Sequence, residues 1–120
     1  MIPVPLSQVR FNERGFNQSE WLARQMSKRT QLKIEIKGLK KTRETSPQST
    51  LSRSERQKNL VGAFSWNPKR PAPERVCLID DVLTTGSTLE ACKSALQKAG
   101  VKEIFAWTLF EATTDILNRR

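Results

Sequence analysis

Apolar and polar residues follow three clear patterns in the C-terminal half of the chain. An uninterrupted apolar run at residues 76–79, Val-Cys-Leu-Ile, is typical of a strand buried in a parallel sheet. Behind it, apolar residues recur at steps of three and four over residues 87–99, which predicts an amphipathic helix followed by Gly100 as its C′ residue. A further, mostly apolar run at residues 104–110 predicts the final strand.

The N-terminal part of the chain gives weaker patterns. Residues 2–6 are apolar but carry two prolines, so they predict a short strand that ends early or lies near a sheet edge. Residues 7–16 are polar and are expected to form a loop. A capping box that begins at Asn17 predicts a helix over residues 18–29. The side chains of this helix that are expected to face inward are Trp21, Leu22 and Met26.

The middle of the chain alternates between short apolar segments and polar loops. Leu32, Ile34 and Ile36 alternate with charged residues, which predicts a strand with one wet face that Gly38 ends or bulges. Residues 40–60 are rich in hydroxyl and basic side chains and predict a long loop, which is either functional or simply solvated. Residues 61–66 predict another short strand, and three prolines within residues 67–73 predict a turn.

The order strand, helix, strand, loop, strand, strand, helix, strand indicates an α/β protein with a mainly parallel sheet flanked by helices. A chain of 120 residues is long enough for one ordinary core. We therefore expect one domain over residues 1–112 and a polar tail over residues 113–120.

Composition removes several classes of chemistry. The chain contains no histidine and only two cysteines, which excludes a Ser-His-Asp triad, a Cys-His pair and a tetrahedral zinc site within it. Cys77 and Cys92 are expected to be reduced core residues, since they fall in an apolar strand and helix. Catalysis would have to rest on carboxylates, Lys and Arg, backbone amides and a hydrated metal ion, and no metal site built from protein ligands alone is predicted.

The formal net charge of +9 favours anionic partners such as phosphates, nucleotides or nucleic acid, although a basic face that only aids solubility has the same charge. No apolar run approaches the roughly 20 residues that cross a bilayer, so no membrane insertion is expected. The N-terminus does not resemble a signal peptide, and we expect a cytoplasmic protein.

The stretch that follows the apolar run carries the clearest chemistry. Asp80 and Asp81 come directly after it, at the strand end where parallel sheets bind ligands. Their carboxylates could accept hydrogen bonds from vicinal hydroxyls and could steer a hydrated Mg²⁺ bridged to a substrate phosphate. The Thr-Thr-Gly-Ser-Thr segment at residues 84–88 opens a helix and could cradle a phosphate, although it lacks the lysine of a Walker A loop. The alternative is an ordinary strand-turn-helix with an Asp turn and a hydroxyl cap.

Residues 76–88 resemble the phosphoribosyl pyrophosphate (PRPP) signature of type I phosphoribosyltransferases. Residues 3–7, residues 14–20 (Arg-Gly-Phe-Asn-Gln-Ser-Glu) and matching positions within residues 43–64 resemble the ComF/GntX competence-protein family within that superfamily. Together these segments cover most of residues 3–112. The resemblance implies a Rossmann-like type I phosphoribosyltransferase core.

The resemblance also implies roles for matching positions. Asp80 and Asp81 would hold the ribose hydroxyls at the catalytic centre. The residues that would hold the 5′-phosphate are Thr84, Thr85, Gly86, Ser87 and Thr88. The residues that would bind pyrophosphate are Leu6 and Ser7, with Arg10 or Arg14. Residues 40–60 would be a mobile loop that closes over the site, with Arg43 and Arg56 neutralising the departing pyrophosphate.

The predicted function is therefore PRPP binding with substrate-bridged Mg²⁺, with phosphoribosyl transfer to an unknown acceptor and a role beside the competence machinery in DNA uptake. Family members commonly carry an N-terminal cysteine-rich zinc-binding segment and a hood for the acceptor. Neither is evident in this sequence, which leaves turnover open. The alternative is a non-catalytic module that responds to PRPP or nucleotides or binds single-stranded DNA. Trp66, Lys69 and Arg70 would then contribute a basic, aromatic surface, unless Trp66 is a core residue. A structural remnant without either activity is the third interpretation.

Overall fold

A computed structural model describes residues 1–43, 52, 54–55, 60–83 and 86–111. Three strands of the described chain form a parallel sheet in the order β1-β4-β5, and two form an antiparallel pair, β2-β3. In chain order the elements are β1 (Ile2–Pro3), α1 (Gln8–Arg14), α2 (Gln18–Thr30), β2 (Leu39–Lys41), β3 (Phe64–Trp66), β4 (Arg75–Leu83), α3 (Ser87–Lys98) and β5 (Glu103–Glu111).

The central strand β4 is covered on both faces. Leu78 belongs to an apolar cluster with Cys92 and Leu96 of α3, and β2 and β3 complete this layer. Successive strand side chains point to opposite faces, so Ile79 faces the other way, where α2 packs against β1 and β4. Ile79 and Ala23 of α2 are both fully buried. The predicted α/β architecture with a parallel sheet between helices is confirmed.

The C-terminal predictions match the structure closely. The helix predicted over residues 87–99 is α3, Ser87–Lys98, and Gly100 adopts the left-handed backbone with φ of 102° just beyond its end. The strand predicted over residues 104–110 is β5, which pairs in parallel with β4. These elements have strong local signals, because an apolar run or stripe and a terminating glycine lie next to one another in sequence.

The prediction of a loop over residues 7–16 is wrong, because α1 lies there. Ser7 begins this helix, with its Oγ accepting from the Arg10 amide at 3.2 Å, and Gly15 ends it with a left-handed φ of 79°. No residue of α1 is buried, so the helix carries no apolar stripe that periodicity could reveal. Its only sequence signals were the two capping residues.

The predicted helix over residues 18–29 is confirmed as α2, but the prediction of which side chains face inward was only partly correct. Trp21 is 60% exposed, while Leu22 and Met26 are half-buried. The residues that α2 buries are Ser19 and Ala23, whose small side chains allow the helix to approach β4 closely. At this helix–strand contact, small side-chain size rather than hydrophobicity decided which residues of α2 are buried.

The strand predicted at Leu32, Ile34 and Ile36 is not formed. This segment runs beside the N-terminus: the Met1 amino group donates to the Lys33 carbonyl at 2.6 Å, and the Glu35 amide donates to the Met1 carbonyl at 2.8 Å. Two bonds to one terminal residue do not extend into a ladder. Pairing with β3 begins instead at β2, just after Gly38.

Gly38 was expected to end or bulge a strand, but it does neither. Instead, it allows the Trp66 ring to approach the backbone closely. A Cβ at this position would lie 2.1 Å from Cη2 of Trp66. The Trp66 indole N–H donates to the Arg70 carbonyl at 2.9 Å, and its ring packs against the apolar cluster. The strand predicted over residues 61–66 is shorter than expected, since β3 begins at Phe64.

Within the described ranges, no helix is long and apolar enough to span a bilayer. The predicted tail over residues 113–120 lies outside the described residues, as does most of the predicted mobile loop over residues 40–60. The base of that loop is described: the Thr42 amide donates to the Ala63 carbonyl at 2.7 Å.

Candidate functional site

Asp80 and Asp81 lie near the carboxyl end of the central strand β4, which extends to Leu83 rather than stopping before the acids. Both side chains are half-buried. Asp80 is aligned with Thr108 of β5, three residues before β4 and β5 end and one residue after Ile79, which pairs with the last residue of β1, so the acids lie close to the carboxyl edge of the sheet. In open parallel sheets this edge is the place at which ligands bind.

The Asp80 carboxylate accepts two hydrogen bonds on one oxygen. The Ser19 hydroxyl donates to its Oδ1 at 3.0 Å, and the Asp81 amide donates to the same atom at 2.9 Å. Burial, as the largest cause, and the neighbouring Asp81 carboxyl raise the pKa of Asp80 to about 6, although the two donated bonds act in the opposite direction. Asp80 is therefore an acid whose ionised form is poorly solvated, which favours a ligand that brings hydroxyl donors or a cation.

Ser19 is a site residue that sequence reasoning missed. It is only 4% exposed, and it lies 61 positions before Asp80 in the chain. The first turn of α2 is fixed by Asn17, whose Oδ1 accepts from the Ser19 amide at 3.0 Å and whose Nδ2 donates to the Val4 carbonyl at 3.0 Å. The sequence held one signal of this contact: Ser19 and Ala23 are small residues four positions apart, so they share one face of the helix.

The predicted phosphate cradle is described only in part, since Thr84 and Thr85 lie outside the described residues. Gly86 precedes α3 with a left-handed φ of 81°, a conformation that glycine adopts without strain. Ser87 is buried and Thr88 is half-buried in the first turn of α3. This helix N-terminus follows the strand that carries the two acids, and its first amides and dipole suit an anion.

The residues predicted to bind pyrophosphate fall into two groups. Leu6 and Ser7 lie just after β1, at the same edge of the sheet as Asp80. The Ser7 hydroxyl caps α1, and Arg10 follows in the first turn of that helix, half-buried. Arg14 is exposed in the last turn of α1. The structure therefore brings Leu6 and Ser7 to the sheet edge that carries the acids, while Arg14 lies one helix length away.

Of the two arginines predicted for the mobile loop, Arg43 lies within the described residues. Arg43 is exposed, and its Nη2 donates to the Val61 carbonyl at 2.7 Å across the base of the loop. Arg56 lies outside the described residues. Their predicted role toward pyrophosphate stays a prediction.

The donor set suits a substrate-bridged Mg²⁺ rather than a protein-only site. No cluster of three or more His, Cys, Asp or Glu side chains lies together in the described part of the chain. Two adjacent carboxylates, Asp80 and Asp81, offer the hard oxygen ligands that Mg²⁺ accepts when water and substrate phosphates fill the remaining positions.

The two cysteines are free thiols, as expected. Cys92 is buried in the core beneath the site, and Cys77 is half-buried. Burial raises the pKa of Cys92 far above its usual range, and the negative charge of Asp80 adds to this effect. Burial also raises the pKa of Cys77, so both thiols are protonated at neutral pH, and the half-buried Cys77 is weakly reactive while the buried Cys92 is inert.

Two of the three residues considered for a single-stranded DNA surface, Trp66 and Arg70, are held in structural contacts. Trp66 packs against the core, which agrees with its alternative interpretation. Arg70 forms an ion pair with Glu35 at 2.7 Å, and this bond is the main reason that the pKa of Glu35 is lowered. Lys69 is exposed. These three residues do not form an open stacking platform.

Residues 3–120 match the family profile described as "Phosphoribosyl transferase domain". "Competence protein F" of Haemophilus influenzae is 41% identical over 114 residues, which cover 93% of this chain and 50% of that protein. "DNA utilization protein YhgH" of Escherichia coli K12 is 34% identical over 110 residues, covering 91% of this chain and 48% of that protein.

"Competence protein ComFC" of Streptococcus pneumoniae is 33% identical over 108 residues, covering 90% of this chain and 46% of that protein. The chain thus spans about half the length of the curated relatives it matches. No solved structure gives a significant match.

Proposed function

The chain belongs to the phosphoribosyl transferase domain family, as a ComF-like member of the type I group, and on that premise we propose that it binds PRPP together with Mg²⁺. The ribose would lie at Asp80 and Asp81, with its hydroxyls donating to the two carboxylates. The 5′-phosphate would lie at the N-terminus of α3, against the amides that follow Gly86. Mg²⁺, when bound, would neutralise the pyrophosphate and bridge it to the site.

The observation that carries this proposal is the environment of Asp80. It is a half-buried acid with a pKa raised to about 6, near the carboxyl end of the central strand, and α3 begins seven residues after it. A desolvated carboxylate gains more from two ribose hydroxyls than a hydrated one does. The same strand end therefore offers acceptors for a sugar and an anion site for its phosphate.

Transfer would follow from this placement. An acceptor nitrogen would form a bond to the anomeric carbon, the bond from that carbon to the pyrophosphate oxygen would break, and pyrophosphate would leave with the electron pair. Asp80 and Asp81 would hold the ribose while positive charge develops on its ring. Arg43 and Arg56 would lie on the side of the leaving group, as the family resemblance implies.

A thermal-shift experiment tests the proposal. Addition of PRPP with Mg²⁺ should raise the melting temperature of the wild-type protein, because a ligand that binds only the native state stabilises it. Asp81→Asn should lose most of this rise. Glu74→Gln is the matched control, since Glu74 is an exposed acid before the opposite end of β4. An unchanged melting temperature in the wild type, or an equal rise in all three proteins, would refute PRPP binding at these acids.

The names of the relatives point to a cellular setting. Proteins called competence protein and DNA utilization protein share most of this chain's length, so we place its role in DNA uptake, beside other proteins of the competence machinery. This setting is a proposal for a chain that covers half of each relative.

A second candidate function, binding of single-stranded DNA without catalysis, is favoured by one observation on α2. Trp21 is 60% exposed, and Arg24 and Lys28 follow at spacings of three and seven, which place them on the same side of the helix. Phe16, 52% exposed, lies just before this helix. Exposed rings beside cations are the elements of a base-stacking surface.

Fluorescence anisotropy with a labelled oligothymidylate tests this second function. Affinity should fall steeply with salt, and Trp21→Ala should weaken binding about tenfold, since stacking on one base is worth about 1–3 kcal/mol. Trp107→Ala, at a tryptophan of β5 that is 40% exposed, should leave binding unchanged. Salt-independent binding, or equal loss in both variants, would contradict a surface on α2.

A further inference from the structure

The strand β5 forms a long open edge of the parallel sheet. Among the described strands it pairs only with β4, whereas the opposite edge is the two-residue strand β1. β5 has nine residues and is therefore about 30 Å long. Natural sheets protect such edges with lysine, proline or bulges, but residues 103–111 contain neither lysine nor proline, and their register with β4 does not shift. An edge of this kind is a template for a further strand.

One face of β5 is open as well. Phe105, Trp107 and Leu109 are alternate residues of the strand, so they lie on the same face of the sheet. Trp107 is aligned with Ile79, which places this face on the side of α2, but α2 packs against β1 and β4. All three side chains are at least 40% exposed. For apolar side chains of this size, about 300 Å² stays open to water, which is comparable to the largest apolar patch on a typical monomer.

The sequence of β5 is nearly palindromic in chemical character. Residues 103–111 read Glu-Ile-Phe-Ala-Trp-Thr-Leu-Phe-Glu, so every residue has a counterpart of the same kind at an equal distance from Trp107. The counterparts are two acids, two pairs of large apolar residues and one pair of small residues. If two copies of this strand pair antiparallel about a two-fold axis at Trp107, like residues lie opposite one another along the whole strand.

This register favours association of the two strands. Phe105 of one copy would lie opposite the partner's Leu109, and the two copies of Trp107 would meet at the axis; such aromatic and aliphatic cross-strand pairs stabilise antiparallel sheets. The acids at the strand ends oppose like charges, and Arg75, 3.7 Å from Glu103, offsets this repulsion.

The size of the contact sets its strength. The joined edge is about 30 Å long and about 10 Å thick on each copy, which is at the low end for a specific interface. Main-chain hydrogen bonds along the edge would supply much of the affinity, as they do when a strand is added to a sheet. We therefore expect a dissociation constant in the micromolar range.

We propose that two copies of this chain associate through β5 as a two-fold symmetric pair, which joins their sheets in the order β1-β4-β5-β5-β4-β1. The strands of the two halves run in opposite directions, so the Asp80 sites lie at opposite edges of the joined sheet. Each Asp80 is on β4, one strand away from the joined edge. Both sites stay open, and the pairing does not depend on the proposed binding of PRPP.

Sedimentation equilibrium at about 100 µM protein, well above a micromolar dissociation constant, tests this pairing. The wild type should have twice the monomer mass of 13.7 kDa. Trp107→Lys brings two cations together at the axis and should give the monomer mass. Trp21→Lys is the matched control, because it makes the same change at an exposed tryptophan of α2, and it should stay paired. Salt should tighten the pairing, since each copy carries a net charge of +9.

Phe105→Lys is a second variant at the same edge and should also be monomeric. Phe105 and Trp107 are both exposed, so neither substitution removes a core side chain, and circular dichroism checks that each variant is folded.

Cross-linking tests the position of the axis. Opposed residues in antiparallel strands have Cα atoms about 4.5–5.5 Å apart, which is within the range that a disulfide spans. With oxidised glutathione, Trp107→Cys should therefore form a covalent dimer, and Trp21→Cys should not. A wild type that has the monomer mass, a dimer that persists in Trp107→Lys, equal dissociation of Trp107→Lys and Trp21→Lys, or equal cross-linking of the two cysteine variants would each overturn the proposal.

Discussion

Replacing Asp80 by asparagine is expected to stabilise the unliganded protein. Burial and, to a smaller extent, the Asp81 carboxyl raise the pKa of Asp80 from 3.8 to about 6, which means that the folded protein destabilises the ionised form. At about 1.4 kcal/mol per pKa unit, the cost is about 3 kcal/mol when the acid is fully ionised, as an upper limit. Asparagine removes the charge, and its Oδ1 can still accept from the Ser19 hydroxyl and the Asp81 amide, which both bond to Oδ1 in the wild type.

The pH dependence of this effect has a definite sign. A group whose pKa is higher in the folded state binds more protons there, so wild-type stability falls as pH rises from about 4 to about 6 and is then constant with respect to this group. Asparagine has no proton to lose in this pH range, so the stability of Asp80→Asn does not fall in this way as pH rises. The two proteins should be equally stable near pH 3.5 and differ by about 1–3 kcal/mol near pH 8.

Urea unfolding followed by circular dichroism measures both quantities. The free energy of unfolding should be compared at the two pH values for the wild type, for Asp80→Asn and for Glu74→Gln as a control. If Asp80→Asn is less stable than the wild type near pH 8, or if its advantage is the same at both pH values, then burial does not set the energy of this carboxylate and the reasoning fails.

Three further outcomes follow from the same contacts. Ser19→Ala should raise the acid limit of PRPP affinity by about one pH unit, because a hydrogen bond to a charged group is lost. A titration at several pH values measures this, and an unshifted limit would refute a positioning role. Gly38→Ala should destabilise the fold by about 1–3 kcal/mol in urea unfolding, since the Trp66 ring must move; a neutral result would mean that the ring is free to shift. In reaction with an aromatic disulfide reagent, Cys77 should react slowly and Cys92 only on unfolding, so Cys92→Ser should leave native reactivity unchanged.

How much the sequence could predict depended on whether the signal was local. Each of β4, α3 and β5 contains its whole apolar run or stripe within its own sequence, so each could be predicted from local residues alone. The two acids directly follow one of these runs. α1 has no buried side chain, so hydrophobic periodicity could not reveal it. Ser7 and Gly15 were visible, but capping residues without an apolar stripe are a weak signal.

Tertiary contacts account for the rest. Trp21 is exposed because α2 approaches β4 through Ser19 and Ala23, and the position of the contact cannot be read from α2 alone. The bond from Ser19 to Asp80 joins residues 61 positions apart. The Asp80 carboxylate could thus be predicted as a ligand group, whereas its raised pKa and its fixed orientation required the fold.

A calorimetric titration of the wild type and of Asp80→Asn with PRPP and Mg²⁺ tests the central claim most directly, because the variant is expected to be folded and at least as stable as the wild type. We predict saturable binding of one PRPP to each wild-type chain and binding at least about a hundredfold weaker in Asp80→Asn, because charge-assisted bonds to two ribose hydroxyls are lost. Equal affinity in the two proteins, or no binding by the wild type, would contradict it.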